Sequence, residues 1–306
     1  MLPTRNGSIR LFRFAGIQVY LHWLWFVIAI WVISRHDNRY TSVVWNVAEY
    51  VALFVIVLMH EFGHSLACRQ VGGRANEIVL WPLGGVAYVS PPTRPGATLW
   101  SIAAGPLVNV ILFPIFTGFI IVSRAMNWAD TLPDVYMFLH VIWLINLFLL
   151  IFNMLPIYPL DGGQILRSLL WFVIGPVRSL MVASIIGFVG VGALFLLALV
   201  FGDIWLVILC VFILLNCGRG LLQARAMSRL AAAPRYGGFA CPACGHAPPA
   251  GAYWRCGKCG KVFDTFASQA VCPHCGTQYP ITVCPDCGSL RPITEWIISD
   301  SARPRL

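Results

Sequence analysis

The chain has 306 residues, of which 58% are hydrophobic and only 11% charged, against roughly 45 to 50% and about a quarter in soluble domains. Its apolar residues fall in blocks long enough to cross about 30 Å of hydrocarbon at about 1.5 Å per residue, which argues against a single large water-soluble core. The formal charge of +9 needs no nucleic acid to explain it, because arginines beside the apolar blocks carry much of it, and nucleic acid is therefore disfavoured as a partner.

In chain order the apolar blocks predict six spans, near residues 17–33, 43–68, 99–122, 135–155, 177–201 and 204–215 or a little beyond. The first follows Arg5, Arg10 and Arg13 like a signal peptide, but it is rich in Trp and Phe and lacks a small-residue cleavage site, so it reads as a retained helix. Arginine bias then sets the orientation. With the N-terminus inside, Arg69, Arg74, Arg94, Arg167 and Arg219 share its side, whereas Arg35, Arg39 and Arg124 lie opposite, which predicts both termini in the cytoplasm.

The second span contains "HEFGH". A charged group at mid-bilayer costs about 2.5 to 3.5 kcal/mol on insertion scales, so His60, Glu61 and His64 together require a partner. His60 and His64 stand one helical turn apart and can reach one ion, while Glu61 is rotated by about 100° and can meet the attacking water. This is the HExxH arrangement of zinc hydrolases; the bland alternative is a helix whose histidines are satisfied by neighbouring backbone. Residues 76–90, "NEIVLWPLGGVAYVS", read as a membrane-associated β-hairpin whose exposed edge, at 77–80 or 86–89, could receive an unwound substrate as an added strand; the alternative is a plain surface loop. "AAGPLVN" at 103–109 supplies small residues for close helix contact, with Asn109 able to hydrogen-bond within a site. His22 and His140 read as structural. Catalytic zinc needs a third protein ligand and one open position. Most carboxylates sit at span ends or in loops, leaving Asp161 in "NMLPIYPLDGGQIL", where Pro156 and Pro159 stop the fourth span and Gly162 and Gly163 permit a local bend.

After Gly218 the sequence turns polar and reads as a helix leaving the membrane, ending at Pro234 and followed by a linker. Four CxxC pairs follow: Cys241 and Cys244, Cys256 and Cys259, Cys272 and Cys275, Cys284 and Cys287. So few apolar residues cannot fold this tail unaided, and two tetrahedral zinc sites supply the missing energy. Disulfides are disfavoured by the cytoplasm and redox pairs by the fourfold repetition; an iron-binding, rubredoxin-like carrier is the remote option. Sequential pairing, first with second and third with fourth, is expected, with interleaving as the alternative. Cys68, Cys210 and Cys217 read as packing residues.

Residues 1 to about 220 resemble the site-2 protease family of intramembrane zinc metalloproteases, through "GIQVYLHWLW", "HEFGH", "WPLGGVAYV", "AAGPLVN" and "NMLPIYPLDGG"; the tail resembles a double zinc ribbon, through "CPACGHAPPAGAYWRCGKCG". The resemblance implies zinc on His60, His64 and Asp161, Glu61 as general base, and Asn153 steadying the oxyanion or positioning substrate. It departs from the family at Gln164, where Arg is frequent, and in carrying ribbons where relatives carry PDZ or CBS modules. The expectation is a polytopic α-helical membrane protein of about six transmembrane helices with a membrane-associated hairpin and a small cytoplasmic ribbon domain, divided as 1–222, a linker at 223–240, ribbons at 241–290 and a tail at 291–306. One catalytic and two structural Zn²⁺ ions, a transmembrane protein substrate, the bilayer and a cytoplasmic protein on the ribbons complete it. A non-catalytic membrane adaptor and a zinc transporter are the rival readings.

Overall fold

The computed structural model describes residues 7–34, 39–81, 84–202 and 204–298; Arg5, Arg35, His36, Asp37, Pro82, Asp203 and the tail beyond 298 lie outside the described residues. The chain forms two compact units, Met1–Ala224 and Arg225–Leu306.

The first unit opens with strands β1 (Ser8–Phe14) and β2 (Ile17–His22), then helices α1 (Leu24–Ser34) and α2 (Val43–Gln70), strands β3 (Arg74–Trp81) and β4 (Gly84–Ser90), and helices α3 (Pro95–Ala125), α4 (Trp128–Thr131), α5 (Pro133–Asn153) and α6 (Asp161–Phe201), and it includes α7 (Ile204–Ala231) as far as Ala224. Among the described residues α2, α3, α5 and α6, with α7 from Leu206, are long and apolar enough to cross a membrane, five in all. The expected first span divides instead. Its residues 17–22 alternate apolar and polar, and as β2 they bury Ile17, Val19 and Leu21 on one face, the period of two that a strand requires. The 11 described residues of α1 reach only about 16 Å, half of the hydrocarbon thickness.

The expected hairpin is part of a four-stranded sheet in the order β1-β2-β3-β4. β3 lies between β2, which it pairs in parallel, and β4, which it pairs antiparallel. Ile17, Val19, Ile78 and Leu80 pack with Val57 of α2, which sets the sheet beside the helix that carries the HExxH residues.

Local chemistry shapes the helices. Ser42 caps α2, its hydroxyl accepting from the Val44 N–H. α6 breaks at Gly175, φ 77°, immediately before Pro176, so the expected fifth span is the second limb of one broken helix. The first limb starts at Asp161. Gly162 and Gly163 do not bend the chain there. They sit in the first helical turn, where an added Cβ would lie 2.3 Å from the Met154 carbonyl oxygen and 2.4 Å from the Tyr158 nitrogen. Their role is close approach, letting the returning segment 154–160 fold over the start of α6.

The second unit has two short hairpins, β5 (Trp254–Arg255) with β6 (Val262–Phe263) and β7 (Ile281–Val283) with β8 (Leu290–Pro292), then a 3₁₀ turn, Ile293–Trp296. Trp296 is fully buried against Cys241, Phe266 and Cys284.

Candidate metal centre

His60 and His64 lie on α2, and Asp161 begins α6, about a hundred positions later; all three face one point. His60 Nε2 stands 3.0 Å from Asp161 Oδ2, His64 Nε2 3.4 Å from the same oxygen, and the two Nε2 atoms 3.1 Å from each other. Ligands at about 2.0 to 2.2 Å from a tetrahedral zinc are separated by roughly 3.3 Å, so the triangle has the size that such an ion requires.

The outer nitrogens explain why the inner ones are bare. His64 Nδ1 is 3.0 Å from the Ser101 carbonyl oxygen, and a carbonyl only accepts, so Nδ1 carries the hydrogen. His60 Nδ1 is 2.7 Å from Asn109 Oδ1 and donates to it. Each neutral imidazole then turns an Nε2 lone pair toward the Asp161 oxygen, and three acceptors at these distances need a cation between them. The donor set, two imidazoles and a carboxylate, is zinc's own, and it fits.

α3 closes one side of the site. At Gly63 an added Cβ would stand 2.6 Å from the Ala104 carbonyl oxygen, and at Gly105 one would stand 2.2 Å from His64 Nε2. The small residues of "AAGPLVN" therefore let α3 touch both α2 and the His64 ring, and Asn109 from the same motif reaches His60.

Glu61 is buried and turns to the sheet, its Oε2 accepting from the Ala87 N–H at 3.0 Å. An added Cβ at Gly85 would fall 2.3 Å from Glu61 Cγ, so the carboxylate fits only over a glycine. Asn153 is the last residue of α5 and is half-buried; among the described residues no hydrogen bond joins it to His60, Glu61, His64 or Asp161. Sequence reasoning missed Asn146, which is fully buried on α5 and bonded to Asn109.

In the tail the eight cysteines form two groups, Cys241, Cys244, Cys284 and Cys287, and Cys256, Cys259, Cys272 and Cys275. The sequential pairing expected above is thus corrected: the first pair meets the fourth, and the second meets the third, nested inside. Sulfurs of different pairs stand 3.8, 3.8, 3.5 and 3.8 Å apart, against about 3.8 Å for the edge of a Zn–S tetrahedron. All four knuckles share one backbone design, in which the N–H of Gly245, Gly260, Gly276 or Gly288 bonds the carbonyl of its first cysteine, each glycine at φ near +70°. The Tyr279 hydroxyl, with the Cys259 N–H, hydrogen-bonds the Cys256 sulfur and holds that thiol down to about 5, the thiolate form that binds metal.

A model described as peptidase family M50 matches residues 48–197, which include the HExxH helix and Asp161 and stop short of the cysteines. A zinc metalloprotease of Methanocaldococcus jannaschii is 36% identical over 197 residues, 64% of this chain and 54% of the relative. Stage IV sporulation protein FB of Bacillus subtilis is 28% identical over 153 residues, 49% of this chain and 46% of its own. The chain thus spans about half the length of these curated relatives. The solved site-2 protease from Methanocaldococcus jannaschii superimposes with a TM-score of 0.52 and 32% identity, over 70% of this chain and 95% of that one. With five long apolar helices around an HExxH pair and a distant aspartate, the chain is an integral membrane protein and belongs to peptidase family M50, the site-2 protease family.

Proposed function

We propose that the chain is an intramembrane zinc endopeptidase that hydrolyses a peptide bond within or beside the membrane segment of another protein. The observation that carries the reading is the convergence of His60 Nε2, His64 Nε2 and Asp161 Oδ2 beside the buried carboxylate of Glu61, within helices apolar enough to span a bilayer. Zinc held by these three residues would supply a Lewis acid that brings the pKa of a water toward about 7 and polarises the scissile carbonyl. Glu61 takes the proton of the attacking water and passes it to the leaving amine, swinging away from the Ala87 N–H to do so. Asn153 steadies the oxyanion or the substrate backbone as that end of α5 meets it.

The substrate's peptide bonds must leave their helix before they can be cut. β4 is the strand on which an unwound segment can lie: β3 is paired on both sides, which removes 77–80 as the receiving edge, and β4 is paired with β3 alone in the sheet order. The Ala87 N–H turns outward to Glu61, so by alternation the Val89 N–H also turns outward, while those of Val86 and Tyr88 turn toward β3. A substrate strand would add at Ala87 and Val89.

The tail would hold two further zinc ions and dock a cytoplasmic protein, with both termini on the cytoplasmic side by the arginine bias. We divide the chain into a protease domain at 1–222, a linker at 223–240, ribbons at 241–290 and a terminal segment. Coexpression of single-span substrates with wild type and Glu61→Gln tests the reading. Cleavage by wild type and a loss of about 10²-fold or more in the variant is expected; equal cleavage by both would remove the mechanism. An adaptor would cleave nothing, and a transporter would move zinc without cleaving.

A further inference from the structure

His64 is oriented by a backbone carbonyl, but His60 is oriented by a side chain, and an amide side chain has two faces. If Asn109 turned its NH₂ toward His60, Nδ1 would become the acceptor, the hydrogen would move to Nε2, and the imidazole would present N–H to the metal position. Something must hold the amide with its oxygen toward the ring.

Asn146 does this. Its Nδ2 is 3.0 Å from the backbone oxygen of Asn109, which has no hydrogen to give, so this end of the Asn146 amide must be the NH₂. Its Oδ1 therefore faces Asn109 Nδ2, at 2.9 Å. That acceptor makes the facing end of Asn109 its NH₂, and Asn109 Oδ1 is left for His60 Nδ1–H at 2.7 Å. The assignment runs without a free choice from a main-chain carbonyl on α3, through an amide on α5, to a ring on α2. Both asparagines are 0% exposed, so water cannot substitute for either bond. The geometry points to Asn146 as a positioning residue that fixes the His60 tautomer, and with it the affinity of the site for zinc.

The inference rests on the zinc reading above, and its test separates the two. Zinc affinity is measured on the purified full chain by competition with a chelator; the tail's cysteine sites report on the same molecules as an internal reference. Asn146→Asp keeps an oxygen facing Asn109 Nδ2 and so preserves the orientation of Asn109, whereas Asn146→Leu removes both bonds. Asn146→Leu is expected to lower affinity at the histidine site by about tenfold to a hundredfold, and Asn146→Asp by much less, with the tail sites unchanged. Asn109→Leu should do the same, and the Asn109→Leu/Asn146→Leu double variant should be no weaker than Asn109→Leu alone, because the relay is then already broken. Thermal unfolding of the metal-free variants identifies any that fail to fold, and Asn146→Ala, which also removes both bonds, is the deciding variant if Asn146→Leu does not fold. Affinity within twofold of wild type in folded Asn146→Leu or Asn146→Ala, or losses that simply add in the double variant, would overturn the relay while leaving the zinc site standing. A wild-type chain that binds no zinc beyond the tail sites, or whose extra zinc survives His60→Ala, would overturn the zinc reading itself.

Discussion

At the centre of the site the tolerances are those of single atoms. Gly105 gives way to the His64 ring, and a methyl group there would sit 2.2 Å from His64 Nε2. Gly105→Ala is expected to displace that ring and weaken zinc retention by about tenfold, the cost of overpacking a filled site. Gly118→Ala on the same helix, with nothing within 4 Å of the added Cβ, should retain zinc as wild type does; dialysis against chelator followed by metal analysis compares them. Much of this site is legible in the sequence. His60 and His64 are adjacent by helical spacing alone, and Asp161 stands out because most other carboxylates sit at span ends or in loops. Asn146, one amide within "LINLF", carries no such mark, because its meaning comes from Asn109 on another helix.

Among the elements, β2 is set by a periodicity shorter than a membrane span. Residues 17–22 alternate strictly but adjoin an apolar helix, so hydropathy alone merges the two; the period of two wins because β3 offers a parallel partner with its own buried Ile78 and Leu80. In the proposed mechanism the strand order makes β4, not β3, the strand that receives substrate. Val89→Pro removes an outward N–H, where an edge strand tolerates proline, and is expected to reduce cleavage of a spanning substrate by about tenfold in proteoliposomes. Tyr88→Pro removes an N–H directed at β3 and should instead lower the melting temperature. Undiminished cleavage in Val89→Pro, with the protein folded, would count against strand addition at β4.

At the scale of the molecule, two units meet different needs for metal. The membrane unit has apolar helices to pack; the tail unit has a small core around Phe266 and Trp296 and two clusters of four cysteines. Nesting has a consequence that sequential ribbons would not share. Cys241→Ser and Cys287→Ser should each remove the same zinc, and the double variant should lose no more than either single one. Cys241→Ser with Cys259→Ser should lose two. Metal counting on the full-length variants distinguishes these patterns, and a Cys241→Ser/Cys259→Ser variant that loses one zinc would restore the sequential pairing.

What the sequence by itself determined is whatever depends on neighbours a few residues apart: the membrane-spanning blocks, the one-turn spacing of the histidines, the CxxC knuckles and their glycines. Tertiary structure decided what depends on partners far along the chain: the parallel strand that claimed residues 17–22, the place of β4 at the end of the sheet, the nested cysteine pairs and the asparagine relay behind His60. The physical reason is that helical rise, pleat and turn geometry act through local sterics. Which donor meets which acceptor across separate helices depends on how they pack, and no spacing along the chain encodes that.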